Sequence, residues 1–332
     1  MNSLSGLSFM RKFIAMTIVL AAGLVFACAA IHPYDGEAQS SYTAVSAVPA
    51  GTIVFVQTEE TLEEVQEQSR AERVMRALVL AYPGRVLRAE YRDGDWAALL
   101  RGTWFFYADG RLMPEHLRAY AANYRPIAFY NNYSAEMPVW TPPTQEQINR
   151  FREHSAVRIQ LPPRAPYFFD TLYRASSREE AYMRVRQIRF LGRNVTVHYA
   201  ILGELALVEE RILEAARTDS SVQTWIDEIG RMYGWNWRNV GGTQSRSFHA
   251  YGVAIDIIPR NLHGKAVFWG WSGPNWWNIP IEGRHHPPEA VIRAFELYGF
   301  VWGGKWSHFD TIHFEFRPEV FILNGLELAT LR

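Results

Sequence analysis

The sequence of 332 residues has little of several things, and each shortage excludes a class of protein. It contains a single cysteine, Cys28, so no intramolecular disulfide can form and no zinc site can be built from several cysteines. The 34 basic and 34 acidic side chains leave no formal net charge, which argues against a nucleic-acid partner held by a broad cationic surface. Only three residues are lysines, and none completes a GxxxxGK phosphate-binding loop.

Several hydrolase signatures are also missing. No serine has a lysine three residues later, as the penicillin-binding serine enzymes require, and neither GxSxG nor HExxH occurs. Apolar residues nevertheless make up 48% of the chain, which is too much for a disordered protein and enough for a sizeable core. We therefore expect one or two folded domains whose chemistry lies outside those signatures.

Residues 1–28 have the layout of an export signal. Arg11 and Lys12 precede an apolar run that extends to Ile31, a run that is also long enough to be a permanent membrane span. Cys28 ends the string LVFAC, which resembles a bacterial lipobox; the alternative is cleavage after Ala29, which discards Cys28. The sequence thus predicts an exported protein of the periplasm or cell envelope, with a lipid anchor to the membrane at Cys28 as the favoured form.

The rest of the chain predicts an α+β protein in two parts. Residues 29–50 are small and polar and form a linker, residues 51–170 form a smaller N-terminal α+β region of unknown role, and residues 171–332 form the C-terminal domain. Prolines over 125–170 are expected to break any long element and to mark the boundary between the two parts. The predicted helices cover 59–81, 177–186, 201–217 and 219–233, and the predicted strands cover 51–57, 85–92, 103–107 and 188–198.

Residues suited to catalysis concentrate in two segments of the C-terminal third, SFHAYGVAID and KWSHFDTIHFEF. The alternation in VAIDII predicts a strand that carries Asp256, and the alternation in IHFEF predicts a strand with His313 and Glu315 on one face. If the two strands pair in antiparallel fashion, Asp256 and His313 face each other, and His249 on the preceding loop can fold over them. Three such ligands with a fourth position left to water are typical of a catalytic zinc site.

Two carboxylates compete for the role of general base in that site. Asp310 lies three residues before His313, where it can take a proton from a metal-activated water. Glu315 is the alternative, although its position favours orienting His313 from behind. The sequence therefore predicts a zinc-dependent hydrolase with Asp310 as the base.

The same segments resemble the SxHxxGxAxD and [ED]xxH signatures of the zinc D-alanyl-D-alanine carboxypeptidases (VanY-like) and the related L-alanyl-D-glutamate endopeptidases of phages. The resemblance covers roughly residues 187–320. It implies a zinc peptidase domain, with a small antiparallel sheet flanked by helices, that acts on the peptide stems of peptidoglycan. By this resemblance His249, Asp256 and His313 bind Zn²⁺, Asp310 is the acid/base, and Ser247 contacts the peptide. Arg238 is the candidate that stabilises the oxyanion, with Arg246 as the alternative.

Further aromatic residues are candidates for substrate contacts. Trp306 and His308 are predicted to contact the substrate, with simple packing as the alternative for His308. Trp276 and Trp277 lie between proline and asparagine residues and are the best candidates within the tryptophan cluster for exposed contacts, although core packing is the commoner role of such residues. We expect a monomer that removes terminal D-alanine. The alternatives are cleavage between L-alanine and D-glutamate, or binding of zinc and cell wall without turnover.

Overall fold

The chain begins its described part with a long helix that packs on a four-stranded sheet. The structure is a computed structural model that describes residues 62–329, with side chains from Arg70 onward. Helix α1 (Leu62–Ala81) buries Val74, Met75 and Leu78 at helical spacing and ends before Pro83-Gly84. This confirms the predicted helix over its described residues, whereas the predicted signal, linker and strand over 51–57 lie outside the described part.

The first sheet is antiparallel and follows chain order. Its strands are β1 (Val86–Arg92), β2 (Asp95–Leu100), β3 (Thr103–Phe106) and β4 (Met113–Pro114). Asp93 and Gly94 both have positive φ, the geometry of a tight hairpin turn, and they connect β1 to β2. Strands β1 and β3 confirm two predictions. Strand β2 was not predicted because its run DWAALL does not alternate in polarity.

The proline-rich segment contains one complete regular helix, and a second helix begins at its end. After a 3₁₀ segment (Glu115–Asn123), the chain is irregular until helix α2 (Gln145–Val157). Thr144 and Gln147 form a reciprocal capping box at its start, with hydrogen bonds of 3.2 and 2.8 Å. The expectation that prolines break every long element here was wrong, because no proline interrupts the residues that follow this cap.

The middle of the chain departs from the sequence prediction at three boundaries. Leu191 and Gly192 adopt positive φ and form a turn, so the predicted strand over 188–198 is a hairpin of two strands. The predicted helix over 177–186 ends at Tyr182, and the one over 219–233 ends at Glu228, because strands follow both. The elements are α3 (Tyr167–Tyr173), α4 (Arg178–Tyr182), β5 (Val185–Phe190), β6 (Arg193–His198), α5 (Leu202–Ala216), α6 (Ser220–Glu228) and β7 (Ile229–Tyr233).

The C-terminal part builds a second small antiparallel sheet. Its strands lie in the order β7, β8 (Ala254–Pro259), β10 (His313–Phe316) and β9 (Phe300–Trp302). The helices around it bury apolar faces that include Val291, Phe295 and Phe321. This arrangement confirms the predicted α+β class, with a small antiparallel sheet flanked by helices. The remaining elements are α7 (Phe248–Tyr251), α8 (Glu289–Leu297) and α9 (Pro318–Leu323). Short 3₁₀ turns lie at Tyr199–Ile201, Trp269–Trp271, Trp276–Asn278, Ile281–Gly283 and Gly303–Lys305.

One hydrophobic core runs across the predicted boundary at position 170. It contains Leu78 from α1 and Phe168 from α3 together with Ile255 and Phe314 from the second sheet. The division into two domains at this position stays a prediction. The hydrophobic core of the described residues is continuous across it. Within residues 62–329, no helix combines the length and apolar character needed to cross a bilayer.

Candidate metal centre

Two central strands bring Asp256 and His313 together. Strands β8 and β10 are antiparallel neighbours, and their register places His313 directly opposite Asp256. Opposed residues on adjacent antiparallel strands project to the same face at a Cβ separation of about 5 Å. The predicted pairing of these two residues is therefore confirmed.

His249 reaches the same point from a one-turn helix. Ser247 caps α7 by accepting a hydrogen bond from the backbone N–H of His249 at 3.3 Å. Gly252 ends the helix with φ of +73°, and a Cβ there would lie 2.9 Å from the backbone nitrogen of His198. The expectation of a loop at His249 was wrong, because the sequence forms this short capped turn and leads directly into β8.

The three ligand atoms converge at distances that fit a metal ion. Asp256 Oδ1 lies 3.1 Å from His249 Nε2 and 2.9 Å from His313 Nδ1, and the two nitrogens are 3.2 Å apart. A tetrahedral ion with bonds of about 2.0–2.2 Å separates its ligand atoms by roughly 3.4 Å. Within residues 70–329, this is the one group of His, Cys, Asp or Glu side chains arranged in this way.

Hydrogen bonds behind the ligands fix which nitrogens carry protons. His249 Nδ1 lies 2.6 Å from the carbonyl oxygen of Gly234 and donates to it, so Nε2 is the ring nitrogen left to present a lone pair to a metal ion. His313 Nε2 lies 3.3 Å from Glu315 Oε2, which leaves the Nδ1 lone pair facing Asp256. Two lone pairs and a carboxylate oxygen aimed at one point repel one another unless a cation lies between them. The donor set therefore suits a divalent metal.

Burial and neighbouring charges act differently on the two aspartates. Burial raises the pKa of Asp256, but the charge and hydrogen bonds of His249 and His313 when both rings are protonated outweigh it and hold the pKa well below its usual value. A divalent cation bound between the three groups would act on Asp256 in the same direction. Burial, together with the negative charge of Asp256, raises the pKa of Asp310 to about 7 despite the opposing effect of His313. Asp256 is thus held as an anionic ligand, while Asp310 is placed near the pKa that suits a general base at neutral pH.

A cleft of about 560 Å³ contains the three ligands and the other predicted site residues. Asp310, Arg238 and Ser247 line it together with Trp306 and His308. Asp310 Oδ1 is buried and has no hydrogen-bond partner among the described residues. The structure thus brings these eight predicted residues into one cleft, and it leaves a free carboxylate oxygen beside the ligands.

The two candidate arginines differ in what they contact. Arg246 forms an ion pair with Asp170, which also accepts a hydrogen bond from Tyr251 at 3.0 Å. Arg238 is exposed, donates to the carbonyl oxygen of Asn239 at 3.3 Å, and acts electrostatically on Asp310. Because the Arg246 guanidinium has a carboxylate partner, these contacts favour Arg238 as the group available to a substrate oxygen.

The aromatic predictions divide into two outcomes. Trp306 stacks on Tyr130 with ring centroids 5.4 Å apart, and it borders the cleft beside His313. Trp276 and Trp277 are only 3% and 6% exposed, which confirms core packing, the commoner role, over exposed substrate contacts for this pair. Phe151 of α2 covers both indoles, a contact that the local sequence cannot reveal.

His308 lies deep in the aromatic wall of the cleft. Its ring centroid is 4.6 Å from that of Trp276 and 4.8 Å from that of Trp269, and its Nε2 has no partner among the described residues. Burial lowers the pKa of His308 to about 4, with contributions from His154 and Arg158. The side chain is therefore neutral at physiological pH. Its ring packs within the aromatic wall of the cleft, and its Nε2 lies there without a hydrogen-bond partner.

The N-terminal region supplies part of the site that the sequence did not predict. Tyr130 donates a hydrogen bond of 3.1 Å to Glu315, and Arg317 is almost completely buried between Glu315 and Glu319. Tyr82 at the end of α1 donates to Glu319 at 2.7 Å. This buried network connects the N-terminal helix to the residue that orients His313. Only the unusual EFRPE run, with a basic residue between two acidic ones, signals it in the sequence.

Glu315→Gln is expected to weaken zinc binding by about 10- to 100-fold, because the neutral amide is a poorer acceptor for the His313 ring N–H. The measurement is a zinc dissociation constant by competition with a chromogenic chelator. Glu282→Gln, which changes an exposed side chain, is the control. An unchanged zinc affinity in a Glu315→Gln protein with normal melting temperature would show that Glu315 does not support the ligand.

Comparison with known families agrees with the geometry. Residues 241–316 match the family model described as D-alanyl-D-alanine carboxypeptidase, which confirms the family resemblance of this segment. Residues 74–129 match a second family model, described as a domain of unknown function. No solved structure matches the chain. The C-terminal match and the His–Asp–His group together support a metallopeptidase that acts on the cell wall.

Proposed function

We propose that this protein is an exported zinc carboxypeptidase that removes the terminal D-alanine from peptidoglycan stem peptides. The observation that carries the proposal is the unpartnered, buried Oδ1 of Asp310 beside three converging ligand atoms. A protein that only binds zinc and cell wall needs the ligands but not a free carboxylate with a raised pKa. Export and a lipid anchor at Cys28 remain part of the proposal, since they rest on residues outside the described part.

The residues of the cleft have separate roles in this reaction. His249, Asp256 and His313 would hold Zn²⁺, which activates a water molecule and polarises a carbonyl group when bound. Asp310 accepts the proton of the attacking water and donates it to the departing amine. Arg238 approaches the carbonyl oxygen and stabilises the negative charge that develops there. Ser247 lies at the start of α7, where it lines the cleft beside the first ligand.

The test is digestion of purified sacculi with the zinc-loaded protein, followed by mass spectrometry of the muropeptides. We expect pentapeptide stems to become tetrapeptides with release of free D-alanine. Release of peptides that begin with D-glutamate would instead identify an endopeptidase. Unchanged muropeptides in the presence of bound zinc would contradict hydrolysis of peptidoglycan. Chelator-treated protein is the control for contaminating hydrolases.

A further inference from the structure

Three arginines from the N-terminal region meet beside the cleft, and we call Arg125, Arg158 and Arg164 the arginine cluster. The backbones of Arg125 and Arg164 are joined by an isolated parallel bridge. Ser245 Oγ accepts from Arg125 Nη2 at 3.3 Å and from the backbone N–H of Arg164 at 3.0 Å. These contacts tie two of the arginines to the loop that leads into the metal ligand His249.

Arg158 joins the cluster from the end of α2. Its Nη2 donates to the carbonyl oxygen of Gly241 at 3.3 Å, and its guanidinium carbon lies 4.7 Å from the ring centroid of Trp269. Arg158 and Arg164 both line the cleft that contains the metal ligands. The cluster therefore presents cationic groups to the same cavity, through residues outside the matched segment 241–316.

The charges of the cluster have no internal counterion. Among the side chains of residues 70–329, none of the three guanidinium groups forms an ion pair with a carboxylate, and the Nε of each is buried without a hydrogen-bond partner. Burial, and then the charges of Arg164 and Arg158, lower the pKa of Arg125 to about 10. Like charges in a partly buried position destabilise a fold unless a ligand neutralises them.

The cluster adds cationic groups to the cleft beyond Arg238. Arg238 acts electrostatically on Asp310, whereas Arg158 acts on His308 and all three cluster residues act on His154. A stem pentapeptide offers such cations two anions, its terminal carboxylate and the internal α-carboxylate of its D-glutamyl residue. The terminal carboxylate lies within one residue of the scissile carbonyl, where Arg238 acts on Asp310. The internal carboxylate is the anion left for the cluster.

We propose that the arginine cluster is a subsite for an internal carboxylate of the peptide, that of the D-glutamyl residue in a stem peptide. Guanidinium groups bind carboxylates in bidentate geometry, and the flat ring of Trp269 beneath Arg158 holds one of them in place. The choice of a stem peptide rests on the proposed function. The subsite gives residues 125–164 a role in substrate selection that the metal centre alone does not supply.

The test compares two peptides that differ in one charge. The probes are L-Ala-γ-D-Glu-L-Lys-D-Ala-D-Ala and the same peptide with the glutamyl α-carboxylate converted to an amide. Calorimetry with the zinc-loaded Asp310→Asn protein gives dissociation constants without hydrolysis. We expect the free carboxylate to bind about 10- to 100-fold more tightly than the amide, as a charged hydrogen bond contributes in proteins. Equal affinities, or no binding of either peptide, would overturn the subsite.

Variants then assign the preference to the cluster. Arg158→Gln and Arg164→Gln should each reduce the preference for the free carboxylate, and the double variant should remove it. Arg150→Gln, on the same helix but with a side chain 65% exposed, should keep the full preference. A preference that survives the double variant would also overturn the proposal. If one variant does not fold, the other single variant makes the assignment, and equal affinities of the two peptides for the protein with all arginines intact would still overturn the proposal.

The outcome is independent of whether the protein cuts sacculi. Selective binding of the free carboxylate without any cleavage of muropeptides would retain the subsite and contradict the proposed function. Cleavage of muropeptides with equal affinity for the two peptides would support the proposed function and contradict the subsite. The melting temperatures of the unliganded variants provide a further readout, because removal of an uncompensated charge should leave stability equal or higher.

Discussion

Asp310→Asn is expected to lower kcat by about 10²- to 10⁴-fold while the protein retains its zinc. The substitution preserves the shape of the side chain and leaves His249, Asp256 and His313 in place. It removes the only carboxylate oxygen in the described part of the cleft that is buried and unpartnered. The measurements are turnover of a stem pentapeptide and zinc content by atomic absorption. Near-normal turnover in a zinc-loaded Asp310→Asn protein would show that another group is the base.

The control for this substitution is Asp109→Asn. The Asp109 side chain is 83% exposed and lies outside the residues that line the cleft, so its loss should leave kcat unchanged. The pH profile adds a second readout. Because burial raises the pKa of Asp310 to about 7, the deprotonated base becomes more populated as the pH increases, and kcat should fall on the acid side. A bound cation shifts this limb to lower pH, and Asp310→Asn should abolish it.

His249→Ala is expected to remove both bound zinc and detectable turnover. Only Asp256 and His313 would remain as ligands, and two donors do not make a stable zinc site of the three-ligand type. Zinc should raise the melting temperature of the parent protein by binding its folded state, and it should not raise that of the variant. Stoichiometric zinc with preserved turnover in His249→Ala would contradict the ligand set.

Removal of zinc with a chelator tests the metal dependence of turnover without a mutation. Removal of zinc from the parent should abolish turnover, and addition of zinc should restore it, whereas the His249→Ala protein should stay inactive throughout. His263→Ala is the control variant, because the His263 side chain is 59% exposed and lies outside the cleft. Loss of activity in that control would indicate a general effect of histidine removal on the fold.

The metal centre could be predicted because its information is local. Alternation along VAIDII and IHFEF fixes which side chains share a face, and antiparallel pairing then places Asp256 opposite His313. The one-turn helix at His249 was missed because four residues are too few to show a helical period. Its signals are the serine cap before it and the glycine that ends it.

The substrate walls could not be predicted because they depend on contacts between distant residues. Trp276 and Trp277 sit in a stretch whose prolines and asparagines are typical of an exposed loop, yet Phe151 lies against both rings. The arginines of the N-terminal region have no local pattern that connects them to His249. Hydrophobic alternation indicates which face is buried, but not which remote segment covers it.

Arg317 makes the C-terminal part of the chain, which contains the metal ligands, dependent on residues far upstream. Its guanidinium reaches the carbonyl oxygen of Ala128 at 2.9 Å as well as Glu315 and Glu319, and Tyr82 completes the set through Glu319. A fragment that begins at residue 171 would keep the buried charges but lose the Ala128 carbonyl and the Tyr82 and Tyr130 hydroxyls that satisfy them, a strongly destabilising change. Residues 171–332 are therefore not expected to fold independently of the upstream region. Any region that replaced residues 74–129 would have to supply equivalents of the Tyr82 hydroxyl and the Ala128 carbonyl in the same places.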